Sequence, residues 1–280
     1  MFAEMARAVN HPKNIPMPSP YRSPHWKIFA SIPHRSAGPV GSPPATWATS
    51  HALSGIPTAS VLLPTHKLDR TDVLQICLNP ANPVLFGFVC AMAWGGMGSG
   101  PGGKSSVAAA WKAHVKLSRH LNLLRTGGLS RCEVYRLFLG TGAIPGIGPA
   151  FFTKLIYFFS PTPDFYIMDQ WTAKSVNLLT GNWVVRMSGN AVYNRNKCGN
   201  YLAYCHEVDE IACLLEVTGE QAEEMMMSKG GRDPWPWRVY MRSNWPINAP
   251  SVGYRASLMH SVYAGIPGKS PCTKTVHSCF

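Results

Sequence analysis

Apolar positions along the middle of the chain follow the three-to-four-residue spacing of amphipathic helices, beginning near Asp69. Polar cap residues stand before several of these apolar runs, and Ser130 with Glu133 has the S-x-x-E spacing of a capping box. We therefore predict a mostly α fold, with Thr71 or Asp72 as the first helix cap. The predicted helices span residues 73–78, 83–94 (a buried helix or strand), 105–124, 134–139, 149–159, 169–179, 197–217 and 219–229, with a hairpin or loop at 183–192.

The two ends of the chain lack this periodicity. Residues 1–67 hold 11 of the 24 prolines, and residues 243–280 are again rich in proline and glycine. Short strands are predicted near 26–32 and 59–63. The pattern divides the chain into an irregular N-terminal arm (1–67), a helical core (68–242) and an irregular C-terminal tail (243–280), and no motif indicates what the two ends do.

The distribution of charge indicates a polyanionic partner. Lys and Arg outnumber Asp and Glu by 26 to 14, giving a net charge of +12, and no carboxylate occurs between Val73 and Cys132. A basic surface without interspersed acids suits nucleic acid, whose phosphates supply most non-specific affinity. A basic surface that only keeps the protein soluble is the alternative. The expected phosphate contacts are three cations of helix 105–124: Lys112, Lys116 and Arg119.

Composition removes several classes of protein. A charged fraction of only 14% with 46% apolar residues argues against general disorder. No uninterrupted apolar run reaches the roughly 18 residues of a membrane helix, and the first residues lack the pattern of a secretory signal. No C-x-x-C pair occurs, so the cysteines do not predict a zinc site. We expect a cytoplasmic protein that does not enter a membrane.

One glycine-rich motif suggests nucleotide binding. The residues from Gly98 to Ser105 match the phosphate-loop pattern G-x-x-x-x-G-K-[ST], and the apolar run ending at Asp169 resembles the strand that completes a magnesium site. A nucleotide-binding α/β fold needs alternating strands and helices, whereas the chain between Ser105 and Pro161 predicts three helices and no strand. A phosphate-loop NTPase is therefore a minor alternative.

A second glycine motif lies between two predicted helices. Ile144-Pro-Gly-Ile-Gly148 is followed by Pro149, which opens the helix at 149–159. Glycines in such a turn let backbone amides approach a phosphate, at a helix N-terminus whose dipole favours an anion. Gly146 and Gly148 are the predicted DNA-binding glycines, and a simple inter-helix turn is the alternative reading.

This motif resembles the signature of the helix-hairpin-helix DNA glycosylases, which is L-P-G-[VI]-G, then a helix, then a catalytic Asp at the start of the next helix. Asp169 follows Gly148 by 21 residues and opens the next predicted helix, as that family requires. The residues from Gly148 onward look like the bacterial branch with an 8-oxoguanine-glycosylase-like fold. Some members of that branch are phage-defence enzymes, including one that removes glucosylated hydroxymethylcytosine. The resemblance covers residues 131–179 clearly and 69–229 more weakly.

The resemblance implies that Asp169 is catalytic, although a plain N-cap is an alternative role for this residue. An ionised carboxylate held at that position stabilises an oxocarbenium-like sugar and orients or deprotonates the attacking water. Members that also cleave the strand carry a Schiff-base lysine where this chain has Ala150, so we expect a monofunctional enzyme. Lys154, one helical turn further on, is a displaced nucleophile, a recognition group or a surface lysine.

The same resemblance implies that the helical turn containing Ala150 and Phe151 lines the base pocket. Trp94, beside two glycines, is a candidate to stack a flipped base, with core packing as its alternative. Trp235 and Trp237, flanked by Arg232 and Arg238, are further candidates for closing the pocket or contacting DNA. The family often holds a monovalent cation on hairpin carbonyls, and no other cofactor is expected. The implied carbonyls are those of Gly142, Ile144 and Ile147.

The sequence therefore predicts a helical DNA glycosylase that acts as a monomer on double-stranded DNA. It would flip out a modified base and hydrolyse its N-glycosidic bond, leaving an abasic site. Modified phage DNA carrying glucosylated hydroxymethylcytosine is the expected substrate, and 8-oxoguanine is the alternative. A non-catalytic DNA-binding module that uses the same hairpin is the remaining alternative from another class.

Overall fold

The computed structural model describes residues 23–38, 40–53, 62–99 and 102–245. These residues form twelve α-helices and one short antiparallel hairpin, which confirms the predicted mostly α fold. The helices are α1 (Pro24–Ala30), α2 (Pro44–Ser50), α3 (Arg70–Leu78), α4 (Val84–Trp94), α5 (Gly103–Lys112), α6 (His114–Thr126), α7 (Arg131–Arg136), α8 (Pro149–Phe159), α9 (Gln170–Thr180), α10 (Cys198–Leu215), α11 (Gly219–Met227) and α12 (Pro236–Asn244). The hairpin strands are β1 (Met187–Ser188) and β2 (Ala191–Val192).

Capping side chains set several helix starts. The predicted box of Ser130 and Glu133 is present at α7, with both reciprocal hydrogen bonds formed. The first cap, predicted at Thr71 or Asp72, was placed two or three residues too late. Asp69 caps α3 by accepting from the amide of Asp72, whose own carboxylate accepts from the amide of Asp69. Asp72 is therefore the third helical residue and the partner in the box, so α3 begins at Arg70.

The single helix predicted at 105–124 is wrong, because α5 and α6 are separate helices. Ala113 interrupts the helical backbone with φ −96° and ψ 18°, and its amide bonds to the carbonyl of Ala110, three residues back. The apolar periodicity continues across the break, so the interruption was not visible in the sequence. Lys112 and Lys116 consequently belong to different helices.

The strand predicted near 26–32 is also wrong, because this segment contains helix α1. Ser23 caps the helix by accepting from the amide of Trp26, and Pro24 supplies a preset φ at the first helical position. Proline plays the same part at the start of α2. Trp26 and Trp47 anchor these two short helices in the core. The strand predicted near 59–63 falls mostly outside the described residues.

The core is built around α4, every residue of which is buried. This explains why the run at 83–94 shows no helical period in its sequence. Helix α4 packs against α2, α3, α6 and α8, and α8 is itself almost entirely buried. The consequence for function is that α8, together with the end of α4, holds a fixed position beside α9.

The described residues do not show the α/β arrangement that a nucleotide-binding phosphate loop needs, and Gly100 and Pro101 of the glycine-rich motif lie outside them. Helix α4, not a strand, precedes the glycine-rich motif, and residues 165–169 form an irregular segment ahead of α9. The two-residue strands of the hairpin are the only strands in the described parts of the chain. Among the same residues, no helix is long and apolar enough to cross a membrane.

Candidate active site

Asp169 is the N-cap of α9, and its carboxylate is held by the backbone. Oδ1 accepts from the amides of Trp171 at 2.7 Å and Thr172 at 3.2 Å, while the Thr172 hydroxyl accepts from the amide of Asp169 at 3.0 Å. The hydroxyl of Tyr204 donates to the carbonyl of Ile167 just before the cap. These bonds fix the direction of the carboxylate and leave Oδ2 free to interact with another group.

Lys154 is that other group. Its Nζ lies 3.5 Å from Oδ2 of Asp169 and donates to the carbonyl of Ala150 at 2.9 Å. Only 5% of the Lys154 side chain and 14% of the Asp169 side chain are exposed. Because a lysine side chain on a helix extends toward the helix N-terminus, Lys154 delivers its charge to the first turn of α8. This burial argues against the interpretation of Lys154 as a solvated surface lysine.

The stem of Lys154 packs against the end of α4. A Cβ atom placed on Gly95 would lie 2.7 Å from Cδ of Lys154, so only glycine leaves room for this side chain. The ring of Phe151 lies beside the ammonium, with 5.7 Å between Nζ and the ring centroid. Thr153, the preceding residue, accepts from the amide of Met168 and so joins α8 to the segment that carries Asp169. The structure thereby brings Ala150, Phe151, Lys154 and Asp169 together.

Trp94 lies in the core, which was the alternative given for it. Its side chain is 7% exposed and makes an edge contact with Phe158, with 5.1 Å between the ring centroids. The indole Nε1 is buried and has no hydrogen-bond partner within the described residues. Trp94 is therefore not an exposed surface on which a flipped base could stack.

The glycine hairpin lies between α7 and α8, after a 3₁₀ turn at Gly140–Gly142. Ile144 and Ile147 are buried and anchor the turn, and the amide of Ile147 bonds to the carbonyl of Ile144. Gly146 has φ +79°, and a Cβ atom there would collide with the carbonyl oxygen of Ser106. The turn therefore needs glycine for its backbone angle and for its close approach to α5.

Gly148 is the N-cap of α8 and is followed by Pro149 at the first helical position. It has no side chain with which to cap the helix. Within the described residues, the amides of Gly146 and Gly148 donate no hydrogen bond to the protein. Two free amides at the N-terminus of an eleven-residue helix form an arrangement that can accept a phosphate.

Two of the three carbonyls predicted to hold a cation, those of Gly142 and Ile144, already have protein partners. The Gly142 oxygen lies 2.8 Å from Nε2 of His120, and the Ile144 oxygen accepts from the amide of Ile147 at 3.1 Å. A carbonyl oxygen has two lone pairs, so these bonds leave coordination of an ion open. The monovalent cation at Gly142, Ile144 and Ile147 stays a prediction.

The three predicted phosphate contacts differ in their surroundings. Lys112 and Arg119 are exposed, in line with a role at a nucleic-acid surface. Nζ of Lys116 instead donates to the carbonyls of Thr141 at 3.0 Å and Ala143 at 3.2 Å. Lys116 therefore supports the hairpin from α6, a role that the sequence did not reveal.

A buried carboxylate beneath the site was missed by the sequence analysis. Glu223 of α11 is fully buried and forms an ion pair with Arg70 of α3, while its Oε1 has no partner within the described residues. Burial raises the pKa of Glu223 to about 7, and the nearby charge of Asp169 acts in the same direction, whereas Arg70 and Lys154 oppose the rise. Glu223 is one of three acids on α11, and nothing in the sequence separates it from the partly buried Glu220 and Glu224.

A glycine hairpin, an oriented carboxylate at the next helix start and a buried lysine beside it, on a helical fold, define the class of helical DNA glycosylases. Residues 36–227 match the profile of the family described as "Putative 8-oxoguanine DNA glycosylase OGG-like protein". This match covers more than half of the chain, and the chain belongs to this family. No curated protein and no solved structure matches it.

Proposed function

We propose that the protein binds double-stranded DNA, turns one modified nucleotide out of the duplex and hydrolyses its N-glycosidic bond. The observation that carries this proposal is the pair formed by Asp169 and Lys154, with 3.5 Å between Oδ2 and Nζ, at the first turns of two helices. The helix-hairpin-helix arrangement suggested by the motif gives this pair its place beside a phosphate-binding turn. A non-catalytic DNA-binding module would not need a buried charged pair at this position.

Asp169 has the role of stabilising positive charge on the sugar. As the bond between C1′ and the base nitrogen breaks, its electron pair leaves with the base and the sugar gains oxocarbenium character. A carboxylate held by two amides faces this charge without having to reorient, which is the basis of electrostatic preorganisation. Water then forms the new bond to C1′, and its proton passes to Asp169 or to the departing base.

Lys154 has the role of a hydrogen-bond donor to the base or the sugar. Its Nζ donates to the carboxylate of Asp169 and to the carbonyl of Ala150. A nucleophilic amine would have to leave both partners before attacking C1′. Ala150 stands where the bifunctional enzymes carry their nucleophilic lysine, which also argues against a covalent intermediate. We therefore expect hydrolysis that leaves the abasic strand intact.

The substrate we favour is a base that carries a bulky or polar substituent, as in phage DNA with glucosylated hydroxymethylcytosine. An enzyme of antiviral defence must leave host bases untouched. A site built around the Lys154 donor discriminates against bases that lack a matching acceptor, because its own polar group is then left unpaired. The second candidate is 8-oxoguanine, which the description of the family favours.

Mass spectrometry of released bases tests the proposal. The full chain is incubated with duplexes carrying 8-oxoguanine, hydroxymethylcytosine or glucosylated hydroxymethylcytosine, and with unmodified DNA. We expect release of the glucosylated base and none from unmodified DNA. Release from 8-oxoguanine duplexes alone would make the protein a repair enzyme. Duplex binding without release of any base would instead indicate a non-catalytic DNA-binding module.

A further inference from the structure

Three cations converge on one indole ring at the junction of α9 and α12. Cζ of Arg238 lies 3.7 Å from the ring centroid of Trp171, Cζ of Arg242 lies 5.4 Å from it, and Nζ of Lys174 lies 5.0 Å from it. Nζ of Lys174 is also 5.6 Å from the ring centroid of Trp245. We refer to Trp171, Lys174, Arg238, Arg242 and Trp245 as the Trp171 cluster.

The positive charge of this cluster has no counter-ion in contact with it among the described residues. No carboxylate in these parts of the chain lies within ion-pair distance of Lys174, Arg238 or Arg242. Lys174 donates to the Oδ1 of Asn190 at 2.8 Å, and Arg238 donates to two backbone carbonyls, so their partners are neutral oxygens. Only one of the 14 acidic residues, Glu4, lies outside the described part of the chain.

The cluster is therefore a place where an anion would be stabilised. Lys174 and Arg238 are each only 5% exposed, and Nε of Arg238 is buried without a hydrogen-bond partner in the described structure. Burial and the neighbouring charges of Arg238 and Arg242 lower the pKa of Lys174, and burial lowers the pKa of Arg238 to about 10. Cation–π contacts offset part of the free-energy cost of burying these cations, and a bound anion would offset more of it.

The cluster borders the candidate active site. The amide of Trp171 donates to Oδ1 of Asp169, so the ring that carries the cations is two residues from the carboxylate. Asp169 is also the one acid whose charge acts on both Lys174 and Arg238. Arg242 is exposed and Trp245 is half-buried, which makes the cluster accessible from solvent.

We infer that the Trp171 cluster binds a phosphodiester of the DNA strand next to the flipped nucleotide. This inference rests on the proposed function, since it takes Asp169 to mark the position of the sugar. Phosphate oxygens accept several charge-assisted hydrogen bonds at once, which matches two guanidinium groups and an ammonium. An anionic substituent on the base has the same chemistry and is the other possible source of the ligand.

Binding to chemically neutralised duplexes tests the inference. The duplexes carry a stable abasic analogue, with one methylphosphonate at each linkage flanking it in turn, and binding needs no turnover. We expect wild-type protein to lose about tenfold in affinity at one of these linkages, the value of one charge-assisted hydrogen bond. Arg242→Gln should lose a similar factor on the native duplex and show no further loss at that linkage.

Arg136→Gln is the matched control, because Arg136 is also an exposed arginine in the last turn of a helix. It should keep the full loss at the sensitive linkage. Equal affinity of the wild type for all flanking linkages, or the same loss in Arg242→Gln as in the control, would overturn the inference. A preference for 5-carboxylcytosine duplexes that disappears in Arg242→Gln would assign the cluster to the base and would also overturn it. Failure to release any base rejects the proposed function while leaving this binding result intact.

Discussion

At the scale of single residues, the proposed chemistry depends on Lys154 and Asp169, which form a largely buried ion pair. Lys154 and Asp169 are both largely withdrawn from water, and each would be costly to bury alone. Their pairing holds a carboxylate and a hydrogen-bond donor side by side in the candidate active site. Replacing either residue therefore removes a functional group and also leaves the charge of its partner unpaired. A variant should for this reason keep the shape of the side chain that it replaces.

Lys154→Met tests the role of the ammonium while keeping the aliphatic stem against Gly95. We expect base release to fall at least tenfold, because the variant cannot form this charge-assisted hydrogen bond. We also expect no covalent enzyme–DNA adduct on borohydride treatment of the wild type. A trapped adduct that disappears in Lys154→Met would show that Lys154 is a nucleophile and that the enzyme cleaves the strand as well.

Gly146→Ala tests the hairpin at a single position. The variant must place a Cβ atom at φ +79° and against the carbonyl of Ser106, so we expect a loss of about 1–3 kcal/mol in the free energy of unfolding. Gly128→Ala is the matched control, since Gly128 has φ +81° with nothing within 4 Å of the added atom. Equal destabilisation of the two variants in denaturant unfolding would mean that close approach to α5 contributes nothing.

At the scale of elements, α3 and α11 are joined by a buried pair below the active site. Arg70 pairs with Glu223 and lies over the ring of Tyr157, with 4.2 Å from Cζ to the ring centroid, and Tyr157 donates to Glu220. The arrangement connects α3, α8 and α11 through polar groups in an otherwise apolar core. It also places a titratable carboxyl, that of Glu223, near Lys154 and Asp169.

The pH dependence of stability follows from Glu223. Its pKa in the folded protein, about 7, lies above the roughly 4.3 of an unfolded chain, so the folded state holds an additional proton between these values. The contribution of this group to stability is complete below the lower value and is lost as the pH rises through 7. We expect the melting temperature of the wild type, relative to Glu223→Gln, to fall between pH 5 and pH 8. Parallel pH profiles for the wild type, Glu223→Gln and the exposed control Asp233→Asn would refute this.

Elements with local signals could be predicted from the sequence, and those set by packing could not. Helix α8 has the predicted bounds, because Pro149 opens it and apolar residues fill it. The break at Ala113 could not be predicted, since no proline or glycine marks it. The family motif made Lys154 a candidate and left three roles open, including that of a surface lysine, so its contact with Asp169 had to come from the structure. The Trp171 cluster required knowing that α9 and α12 pack together. Within α12, the spacing of Arg238 and Arg242 was the available signal, and it did not identify the partner helix.

At the scale of the whole molecule, exposed cations on α5 and α6 are the expected contacts with DNA. Lys112 and Arg119 are exposed near the hairpin support provided by Lys116. Lys112→Gln with Arg119→Gln should weaken binding to all duplexes alike and lower the salt dependence by about one ion for each phosphate-binding cation removed. Lys27→Gln with Lys229→Gln removes the same charge from other exposed positions. The dependence of affinity on salt concentration is measured by fluorescence anisotropy. Equal slopes for the two double variants would show that α5 and α6 do not contact DNA.

The central claim is that Asp169 carries out glycosidic cleavage, and base release by Asp169→Asn tests it most directly. Asp164→Asn is the control, because Asp164 is an exposed aspartate in the turn just before the catalytic segment. On the modified duplex that the wild type processes, we predict that Asp169→Asn binds as tightly as the wild type and releases base about 10²–10⁴-fold more slowly, while Asp164→Asn is unaffected. Base release by Asp169→Asn at the wild-type rate would contradict the account.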